Sequence, residues 1–371
     1  MKTSSIPIPM YHYISAWENP ISVHPDIFEE HLRTFTHKGY RGIGLDDALA
    51  YLRDGITPPG LKSNERPLLI TFDDGFLDNY VHAWPLLKKH GHKAIIFAVT
   101  GLIEFGEPRP TMEDVWNGTI SRDDIPRVDT PIYKDSLGYD CRKDNFMNWK
   151  EIRLMEESGI IDVQAHSHLH ASVFVSNNYD GFYAPGVRSR TFDRILGEIP
   201  WGMPRFEEGP ALQNRAFIPS DEFIELLRNE LPEDKAACDA YFRDPDKVLQ
   251  LEKAMHSMPI AKWGRTEEAD EFRKRIREEL TLCRDTLAQN TGRVPVAMCW
   301  PWGKYSADAH RIGRELGFQL FFATSMGANP PGSTQHIHRF KARARSASWM
   351  AQRLAIYSRA WLANLYAKVR I

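Results

Sequence analysis

Short apolar runs alternate with amphipathic helical patterns along most of this chain, and this alternation constrains its fold more than any other feature. The apolar runs have the length of buried strands, and the segments between them carry apolar residues at helical spacing. Strands that alternate with helices are typical of an α/β fold with a largely parallel sheet. We therefore predict strands at 7–13, 67–72, 94–99, 160–165, 294–299, 319–323 and 337–341, and helices at 26–38, 46–52, 77–90, 149–157, 245–255, 267–289, 307–316 and 346–370.

Two long segments interrupt this rhythm, at 101–145 and 171–266. The second begins with a stretch rich in Gly, Pro and aromatic residues, 171–232, which we expect to be irregular. Segments of this length within a compact domain are usually functional or carry small elements of their own. We therefore predict one α/β domain over 1–345 with two insertions, followed by a C-terminal helix within 346–371.

The cysteines and the apolar runs limit the compartment in which the chain is expected. Its four cysteines are scattered without a Cys-x-x-Cys pair, so neither a disulfide framework nor a zinc ribbon is indicated. The first residues lack the apolar run of a signal peptide, and no stretch approaches the roughly eighteen apolar residues of a transmembrane helix. We predict a cytoplasmic protein without a nucleic-acid partner.

Two adjacent carboxylates end one buried predicted strand, in the sequence Thr-Phe-Asp-Asp-Gly at 71–75. The members of such a pair, Asp73 and Asp74, repel each other unless a cation or a proton gives them different roles. Gly75 permits a sharp turn of the backbone there. The same residues also fit an acidic turn that caps the next helix, so this block alone leaves both interpretations open.

Three histidines follow another predicted strand, in the sequence His-Ser-His-Leu-His at 166–170. Histidine is a frequent metal ligand, and the spacing of His166 and His170 can bring both imidazoles to one ion. Both blocks stand at the carboxyl ends of predicted strands, where α/β folds place their sites. An Asp with two His is the ligand set of a catalytic zinc or similar divalent ion. A surface run of histidines is the alternative.

A third block, Cys-Trp-Pro-Trp-Gly-Lys-Tyr at 299–305, follows a late predicted strand. Apolar rings fixed by Pro301 suit a wall that binds a sugar or an acetyl group, and Gly303 lets the chain approach such a site closely. A packed turn between a strand and a helix is the alternative interpretation.

Together the three blocks resemble those of the polysaccharide deacetylase family, which carries the NodB homology domain and forms carbohydrate esterase family 4. They occur here in the order of that family, and the resemblance covers about 5–100, 145–170 and 270–340. The Met-Tyr-His at 10–12 and the Met-Asn-Trp at 147–149 look like branches of the family that act on cell-surface polysaccharides. The resemblance implies a deformed (β/α) barrel with fewer than eight complete strands.

The resemblance also implies a metal-dependent mechanism. Asp74, His166 and His170 would hold a divalent ion, Zn2+ first of all or else Co2+, Ni2+ or Mn2+. The ion would polarise an N-acetyl carbonyl and lower the pKa of a water molecule. Asp73 would remain off the ion and act as the general base. The pattern of the family favours the two outer histidines over His168 as ligands.

The chain departs from the family at two places. Many members carry an Arg two residues before the Pro of the third block, where it orients the base, but here that position is Cys299. Arg339 on the late predicted strand is our candidate replacement. Members also use a His from a late Leu-x-His block as the general acid. This chain has no Leu-x-His block. His12 and His338 are equal candidates for the proton donor or a substrate contact.

The predicted function is hydrolysis of the N-acetyl group of an amino sugar in a glycan or a lipid-linked glycan precursor. Pro301, Trp302, Gly303 and Tyr13 are the predicted contacts with the saccharide. A glycoside hydrolase on a similar irregular barrel is one alternative, since it would use Asp73 with another carboxylate and would not need histidine ligands. A non-catalytic glycan-binding relative is another, because the usual Arg is replaced.

The last part of the chain is strongly basic. From 316 to 371 there are eight Lys or Arg residues and no Asp or Glu, which indicates an anionic partner. Apolar residues recur there at helical spacing: Met350, Leu354, Tyr357, Trp361 and Leu365. A basic helix with one apolar stripe can lie on an anionic membrane. Packing of the stripe on the barrel is one interpretation of 346–371, and peripheral contact with the inner membrane face is the other.

Overall fold

The computed structural model describes residues 4–129, 132–135, 138–141, 143–184 and 202–369. The strands in these ranges are β1 (Pro9–Tyr11), β2 (Tyr40–Gly42), β3 (Arg66–Leu68), β4 (Ile70–Asp74), β5 (Ala94–Ala98), β6 (Ile132–Asp135), β7 (Gly138–Cys141), β8 (Ile161–Ala165), β9 (Ser172–Phe182), β10 (Pro204–Pro210), β11 (Phe217–Pro219), β12 (Gly264–Thr266), β13 (Ala297–Cys299), β14 (Leu320–Phe322) and β15 (Phe340–Lys341). The α-helices are α1 (Pro25–His37), α2 (Leu45–Asp54), α3 (Trp84–His90), α4 (Met112–Trp116), α5 (Trp149–Glu157), α6 (Asp221–Arg228), α7 (Lys235–Phe242), α8 (Pro245–Ser257), α9 (Ala269–Thr291), α10 (Ala307–Glu315), α11 (Ala347–Tyr357) and α12 (Ala360–Val369).

Seven parallel strands form the central sheet, in the order β14-β13-β8-β5-β4-β1-β15. The segment that leads into β15 at one edge contains Ile337, which forms a bridge with Phe322 of β14 at the other edge. The two edges are thereby drawn together, so that the strands enclose an interior. The predicted deformed (β/α) barrel with fewer than eight complete strands is confirmed. The strands are shorter than the apolar runs that predict them, since the run at 7–13 yields only the three residues of β1.

Alternate residues of the central strands belong to two separate apolar cores. Leu69 and Phe97 lie in a cluster with residues of β13, β14 and α2, whereas Phe72 and Ile96 lie in a cluster with the surrounding helices. Successive side chains of a strand point to opposite faces, so the first cluster fills the barrel and the second packs helices onto it. Asp73 follows Leu69 at an even spacing and therefore faces the barrel interior.

The first predicted insertion, 101–145, contains α4 and the antiparallel hairpin β6–β7. Arg109 connects it to α5, because its guanidinium donates two hydrogen bonds of 2.8 Å to the carboxylate of Glu151. Glu151 is fully buried, and removing one partner of a buried ion pair leaves an uncompensated charge. This pair therefore holds the start of the insertion against the barrel.

The second predicted insertion, 171–266, has more regular structure than its composition indicates. It contains the hairpin β9–β10, the helices α6 to α8 and the strand pair β11–β12. The insertion has a separate apolar core, in which the rings of Phe223 and Trp263 lie with their centroids 5.3 Å apart. The expectation of an irregular stretch is wrong because β9 and β10 are distant in sequence, so no local pattern predicts their pairing. Residues 185–201 of this insertion and residues 370–371 at the end of the C-terminal segment lie outside the described ranges.

The segment predicted as one C-terminal helix forms two helices, α11 and α12. At the break, the amide of Ala360 donates to the hydroxyl of Ser4 at 2.9 Å, and the amide of Ser4 donates to the carbonyl of Ser358 at 3.2 Å. These bonds satisfy backbone groups that an unbroken helix would pair internally. Neither Gly nor Pro marks the break, so the local sequence does not predict it.

The break divides the predicted apolar stripe between two environments. Met350, Leu354 and Tyr357 of α11 are buried against the barrel, at 0%, 0% and 3% exposure. Trp361 and Leu365 of α12 are 67% and 51% exposed. The first half of the stripe thus packs on the domain, whereas the second half faces outward. Within the described ranges, none of the helices has the length and apolar content that a membrane crossing requires.

We expect Leu354→Ala to lower the free energy of unfolding by about 2–5 kcal/mol, because a fully buried leucine leaves a cavity when it is truncated. Leu365→Ala is the matched control, since it removes the same atoms from an exposed position and should change stability by less than about 0.5 kcal/mol. Urea denaturation of both variants measures the difference. Equal destabilisation by the two substitutions would contradict the packing described for α11 and α12.

Candidate active site

The two adjacent carboxylates lie at the carboxyl end of β4, inside the seven-stranded sheet. Asp73 is 2% exposed, and its two oxygens accept hydrogen bonds from the Arg339 guanidinium at 2.6 and 2.8 Å. Burial raises the pKa of Asp73, but the positive charge of Arg339 more than offsets this, and the pKa lies below its usual value. Asp73 is therefore ionised at neutral pH and held in one orientation.

Arg339, the candidate replacement for the missing arginine, is fully buried immediately before β15. Its guanidinium also donates to the carbonyl of Ala323 at 2.9 Å and to the hydroxyl of Thr71 at 3.3 Å. The sulfur of Cys299 lies 2.9 Å from the same guanidinium. The structure thus brings Arg339 to Asp73, the predicted base that it is expected to orient. Arg339 reaches this carboxylate from the segment before β15, whereas the third block follows β13.

The second carboxylate faces two of the three histidines. Oδ1 of Asp74 lies 3.5 Å from Nε2 of His166 and 3.6 Å from Nε2 of His170, and these donor atoms all lie within 4.8 Å of one another. Nδ1 of His166 is 2.7 Å from the carbonyl oxygen of Cys299. Nδ1 is engaged in that contact, so Nε2 is the ring nitrogen that is available to an ion beside Asp74. This carboxylate with two imidazoles fits a divalent transition ion with open positions.

The positive group that contributes most to ionisation differs between the two neighbouring carboxylates. Burial raises the pKa of Asp74, but the hydrogen bond from His166 and the charge of His170 bring it well below its usual value. Arg339 does the same for Asp73. The two acids therefore differ in their surroundings although they are consecutive in sequence, as two groups with different roles require.

Left-handed backbone conformations concentrate at this site. Among the described residues, the non-glycine residues with positive φ are Asp74, Ser167, His170 and Trp302, at 75°, 65°, 49° and 54°. Each such conformation costs on the order of 1–3 kcal/mol and persists only where the surrounding structure enforces it. In a regular strand the side chain of Asp74 would point away from that of Asp73. The left-handed φ of Asp74 interrupts this alternation of side chains along β4.

The middle histidine has other partners. Nδ1 of His168 is 2.9 Å from the hydroxyl of Thr100, and His168 does not belong to the group of donor atoms around Asp74. The carboxylate of Glu279 on α9 accepts hydrogen bonds from the amides of His168 and Leu169 at 2.9 and 2.7 Å. Glu279 thereby fixes the histidine loop. The sequence gives no local sign of this role, because Glu279 is 110 residues from Leu169 and lies within a charged helical pattern.

The third block forms the turn after β13, next to the histidines. The ring of Trp302 packs against that of His170, with centroids 4.3 Å apart, and Pro301 is buried. Gly303 has a φ of 70°, and a Cβ at this position would lie 2.3 Å from the hydroxyl oxygen of Thr324. Only glycine therefore fits this turn. The predicted wall for the substrate thus adjoins one of the candidate metal ligands.

The end of the first strand brings His12 toward the carboxylates. Burial raises the pKa values of Asp73 and Asp74, and His12 is one of the positive groups that lower them. Tyr13, by contrast, is 4% exposed and stacks on Phe76 with ring centroids 3.8 Å apart. The ring of this predicted substrate contact therefore packs in the core.

His338, the other candidate proton donor, lies in a separate polar cluster. Its Nδ1 is 3.0 Å from the hydroxyl of Ser325, which also lies 2.7 Å from Nε2 of His336. Nδ1 of His336 is in turn 2.8 Å from the hydroxyl of Tyr305. His338 and Arg339 are neighbours in an extended segment, so their side chains point to opposite faces. Arg339 is the one that faces the carboxylates.

A family model and one curated protein match this chain in sequence. Residues 60–181 match the family model described as polysaccharide deacetylase. A stretch of 98 residues is 40% identical to "Putative polysaccharide deacetylase YxkH" of Bacillus subtilis (strain 168), and covers 26% of this chain and 33% of that protein. The match thus spans about a third of the length of this curated relative. The resemblance to the polysaccharide deacetylase family is confirmed over 60–181, which contains the first two blocks but not the third.

Solved deacetylase structures share the fold at low sequence identity. A de-N-acetylase from Aggregatibacter actinomycetemcomitans has a TM-score of 0.58 at 15% identity, over 94% of this chain and 99% of that chain. The BpsB deacetylase domain from Bordetella bronchiseptica has a TM-score of 0.54 at 19% identity, over 92% and 98%. IcaB from Ammonifex degensii has a TM-score of 0.52 at 17% identity, over 95% and 98%. These likenesses define the class of barrel.

We expect His166→Ala and His170→Ala each to reduce the affinity for Zn2+ by more than the roughly 10–100-fold that loss of an outer-shell partner causes. The reason is that one carboxylate with one imidazole is a poor divalent site. His168→Ala is the matched control in the same loop and should retain the metal, because His168 faces Thr100. Metal content after dialysis measures all three variants. Loss of metal from His168→Ala with retention in His166→Ala would reverse the assignment of the ligands.

Proposed function

We propose that this chain is a metal-dependent deacetylase that hydrolyses the N-acetyl group of an amino sugar in a glycan or a lipid-linked glycan precursor. The observation that carries the proposal is the pairing of two unlike carboxylates. Asp74 lies beside His166 and His170, and Asp73 lies beside Arg339. The family match over 60–181 supports the same class of reaction.

Asp74, His166 and His170 would hold the ion, Zn2+ or else Co2+, Ni2+ or Mn2+. When bound, a divalent ion polarises the acetyl carbonyl and lowers the pKa of a water molecule. Asp73 accepts the proton of the attacking water, for which it must be ionised and must stay off the ion. Arg339 allows Asp73 to meet both conditions. Its positive charge keeps the pKa of Asp73 low despite burial, and its two hydrogen bonds hold both carboxylate oxygens in place.

His12 is the residue that we propose for donating a proton to the leaving amine. β1 pairs in parallel with β4 up to Tyr11, so the next residues of the two segments, His12 and Asp73, follow side by side. His338 is bonded to Ser325 and would have to leave that cluster to reach the same place. A general acid must come within hydrogen-bond reach of the leaving group, and this requirement favours His12.

The same contacts argue against the two alternative functions. A glycoside hydrolase places its two carboxylates on either side of the scissile bond, whereas Asp73 and Asp74 are consecutive and one of them faces two histidines. A non-catalytic relative is suggested by Cys299, where the family has Arg. Arg339 supplies a guanidinium to Asp73 from another strand, which removes the reason for that suggestion.

Contact with an anionic membrane stays a proposal. Trp361, Leu365 and Val369 recur every fourth residue on α12 and are 67%, 51% and 75% exposed. The cation of Lys368 lies on the same helix. An exposed apolar face with positive charge beside it fits the interface of an anionic bilayer, and we propose that the chain works in the cytoplasm at the inner membrane face.

Asp73→Asn should lower kcat by about 10²–10⁴-fold, the usual effect of losing a general base, while the metal remains bound. Asp74→Asn is the matched change at the neighbouring ligand and should lose the metal together with the activity. Acetate release from N-acetylated oligosaccharides and metal content are measured on the same preparations. Loss of stoichiometric metal from Asp73→Asn would make Asp73 a ligand, and acetate release that is insensitive to chelator would overturn the metal-dependent mechanism.

His12→Ala should lower kcat for acetate release by about 10²-fold or more, because the leaving amine loses its proton donor. His338→Ala serves as the paired variant and should retain most of the wild-type kcat. A large loss in His338→Ala with little change in His12→Ala would exchange the two roles.

Trp361→Ser should reduce sedimentation of the protein with phosphatidylglycerol vesicles at low salt, because it removes an exposed ring from the proposed contact face. Acetate release from soluble substrates should not change, since α12 carries none of the proposed catalytic groups. Negligible sedimentation of the wild-type protein would refute the membrane contact.

A further inference from the structure

A cavity of about 790 Å³ lies between the end of β15, α11 and α12. Four cationic side chains line it: Lys341, Arg343, Arg345 and Arg353. No acidic residue of the described chain lines it, and the sequence from 316 to 371 contains neither Asp nor Glu. The cavity is therefore strongly positive.

Arg353 is the most constrained of these cations. It is only 7% exposed, and its guanidinium lies 4.9 Å from the ring centroid of Trp349 and 4.8 Å from that of Tyr366. Among the described residues, no hydrogen bond or ion pair reaches this guanidinium. The two rings cover its faces, so its N–H donors remain for the cavity that it lines. A buried charge is costly without a partner, and none of the described carboxylates pairs with this one.

The other three cations also have no acidic partner in the described part of the chain. Lys341 and Arg345 are exposed, and Arg343 donates one hydrogen bond, to the carbonyl of Pro20 at 3.2 Å. The other buried arginine of the described chain, Arg339, is by contrast paired with the carboxylate of Asp73. Like charges around one cavity repel one another, and an anion placed among them relieves that repulsion.

A phosphoryl group matches this set of donors. A guanidinium presents paired N–H donors that fit two oxygens of a phosphate or a carboxylate. A phosphate monoester carries about 1.5–2 negative charges near pH 7, whereas a carboxylate carries one. Four cations around one cavity are therefore better balanced by a phosphoryl group.

The cavity is lined by residues at the carboxyl ends of β14 and β15, and the two carboxylates lie at the same end of the parallel sheet. Thr324 lines it and donates a hydrogen bond to the carbonyl of Trp302 at 3.1 Å, and the ring of Trp302 packs on His170. Lys341 follows Arg339 by two residues in an extended segment, which corresponds to about 7 Å along a strand. A ligand at the carboxylates can therefore extend to the cavity along this end of the barrel.

We propose that this cavity binds the phosphoryl group of the acetylated saccharide on which the enzyme acts. The substrate class is then a phosphorylated N-acetylamino sugar, either a free glycosyl phosphate or one linked to a lipid. The assignment to the substrate rests on the deacetylase function proposed above, whereas the binding of phosphate itself does not.

Titration calorimetry of the full chain with inorganic phosphate and pyrophosphate tests the binding. Arg353→Gln should weaken the affinity at least about tenfold, since a charged hydrogen-bond donor is lost, and Arg353→Lys should weaken it by a smaller factor. Lys368→Gln removes a charge from the same basic segment outside the cavity and should leave the affinity unchanged. Arg345→Gln, at an exposed position, should weaken phosphate binding several-fold. This variant serves as the test if the buried substitution Arg353→Gln prevents folding. Absence of phosphate binding by the wild-type protein, or equal weakening by Lys368→Gln, overturns the proposal.

Acetate release from an N-acetylhexosamine 1-phosphate and from the same sugar without phosphate tests the assignment to the substrate. The phosphorylated sugar should have the higher kcat/KM, by about tenfold or more, and Arg345→Gln and Arg353→Gln should reduce this difference. Equal kcat/KM values in the wild-type protein overturn the substrate assignment and leave the deacetylase function intact. Phosphate binding without acetate release from any saccharide overturns the deacetylase function instead. Binding to phosphatidylglycerol vesicles that Arg353→Gln abolishes, without preference for the phosphorylated sugar, assigns the cavity to a lipid headgroup and overturns its assignment to the substrate.

Discussion

The buried ion pair between Arg339 and Asp73 is the interaction on which the rest of the site depends. Removal of either partner would leave an uncompensated charge in the barrel interior, at a cost of about 3–5 kcal/mol in typical proteins. The pair also connects β4, inside the sheet, with the segment that enters β15 at its edge. With Asp73 held by the guanidinium, Asp74 is the carboxylate that faces His166 and His170. One contact therefore serves both the stability of the barrel and the separation of the two acids.

The sequence predicts those elements of the fold that depend on residues close together in the chain. α5 has the bounds 149–157 that its periodicity predicts. The carboxylates at 73–74 and the histidines at 166–170 are almost a hundred residues apart. They meet because β4 and β8 both pair with β5 in parallel, so that their carboxyl ends share one edge of the sheet. Arg339 was a candidate because the residue at 299 is not the Arg of the family, and the structure brings it to Asp73.

The contacts that the sequence does not predict are those between distant segments. Glu279 reads as part of a charged helix face, but it accepts two hydrogen bonds from the histidine loop. Ser4 interrupts the C-terminal helix by bonding to Ala360, and no local residue marks that break. His12 and His338 have equal claims in the sequence, and the proposal of His12 rests on the contact of His338 with Ser325, which joins distant segments. Such contacts depend on the packing of the whole chain, which no window of a few residues records.

The strand order of the barrel has a consequence for the making of this protein. β1 lies between β4 and β15, with Pro9 paired to Phe340, so the seven-stranded sheet is complete only after most of the chain has been synthesised. Closing so long a loop is entropically costly and slows folding. A partly synthesised chain can contain every proposed metal ligand while Arg339 has not yet emerged from the ribosome. On the proposed mechanism, nascent and truncated chains therefore contain the metal donors without an oriented base. Such chains become able to catalyse the reaction only when β15 completes the sheet.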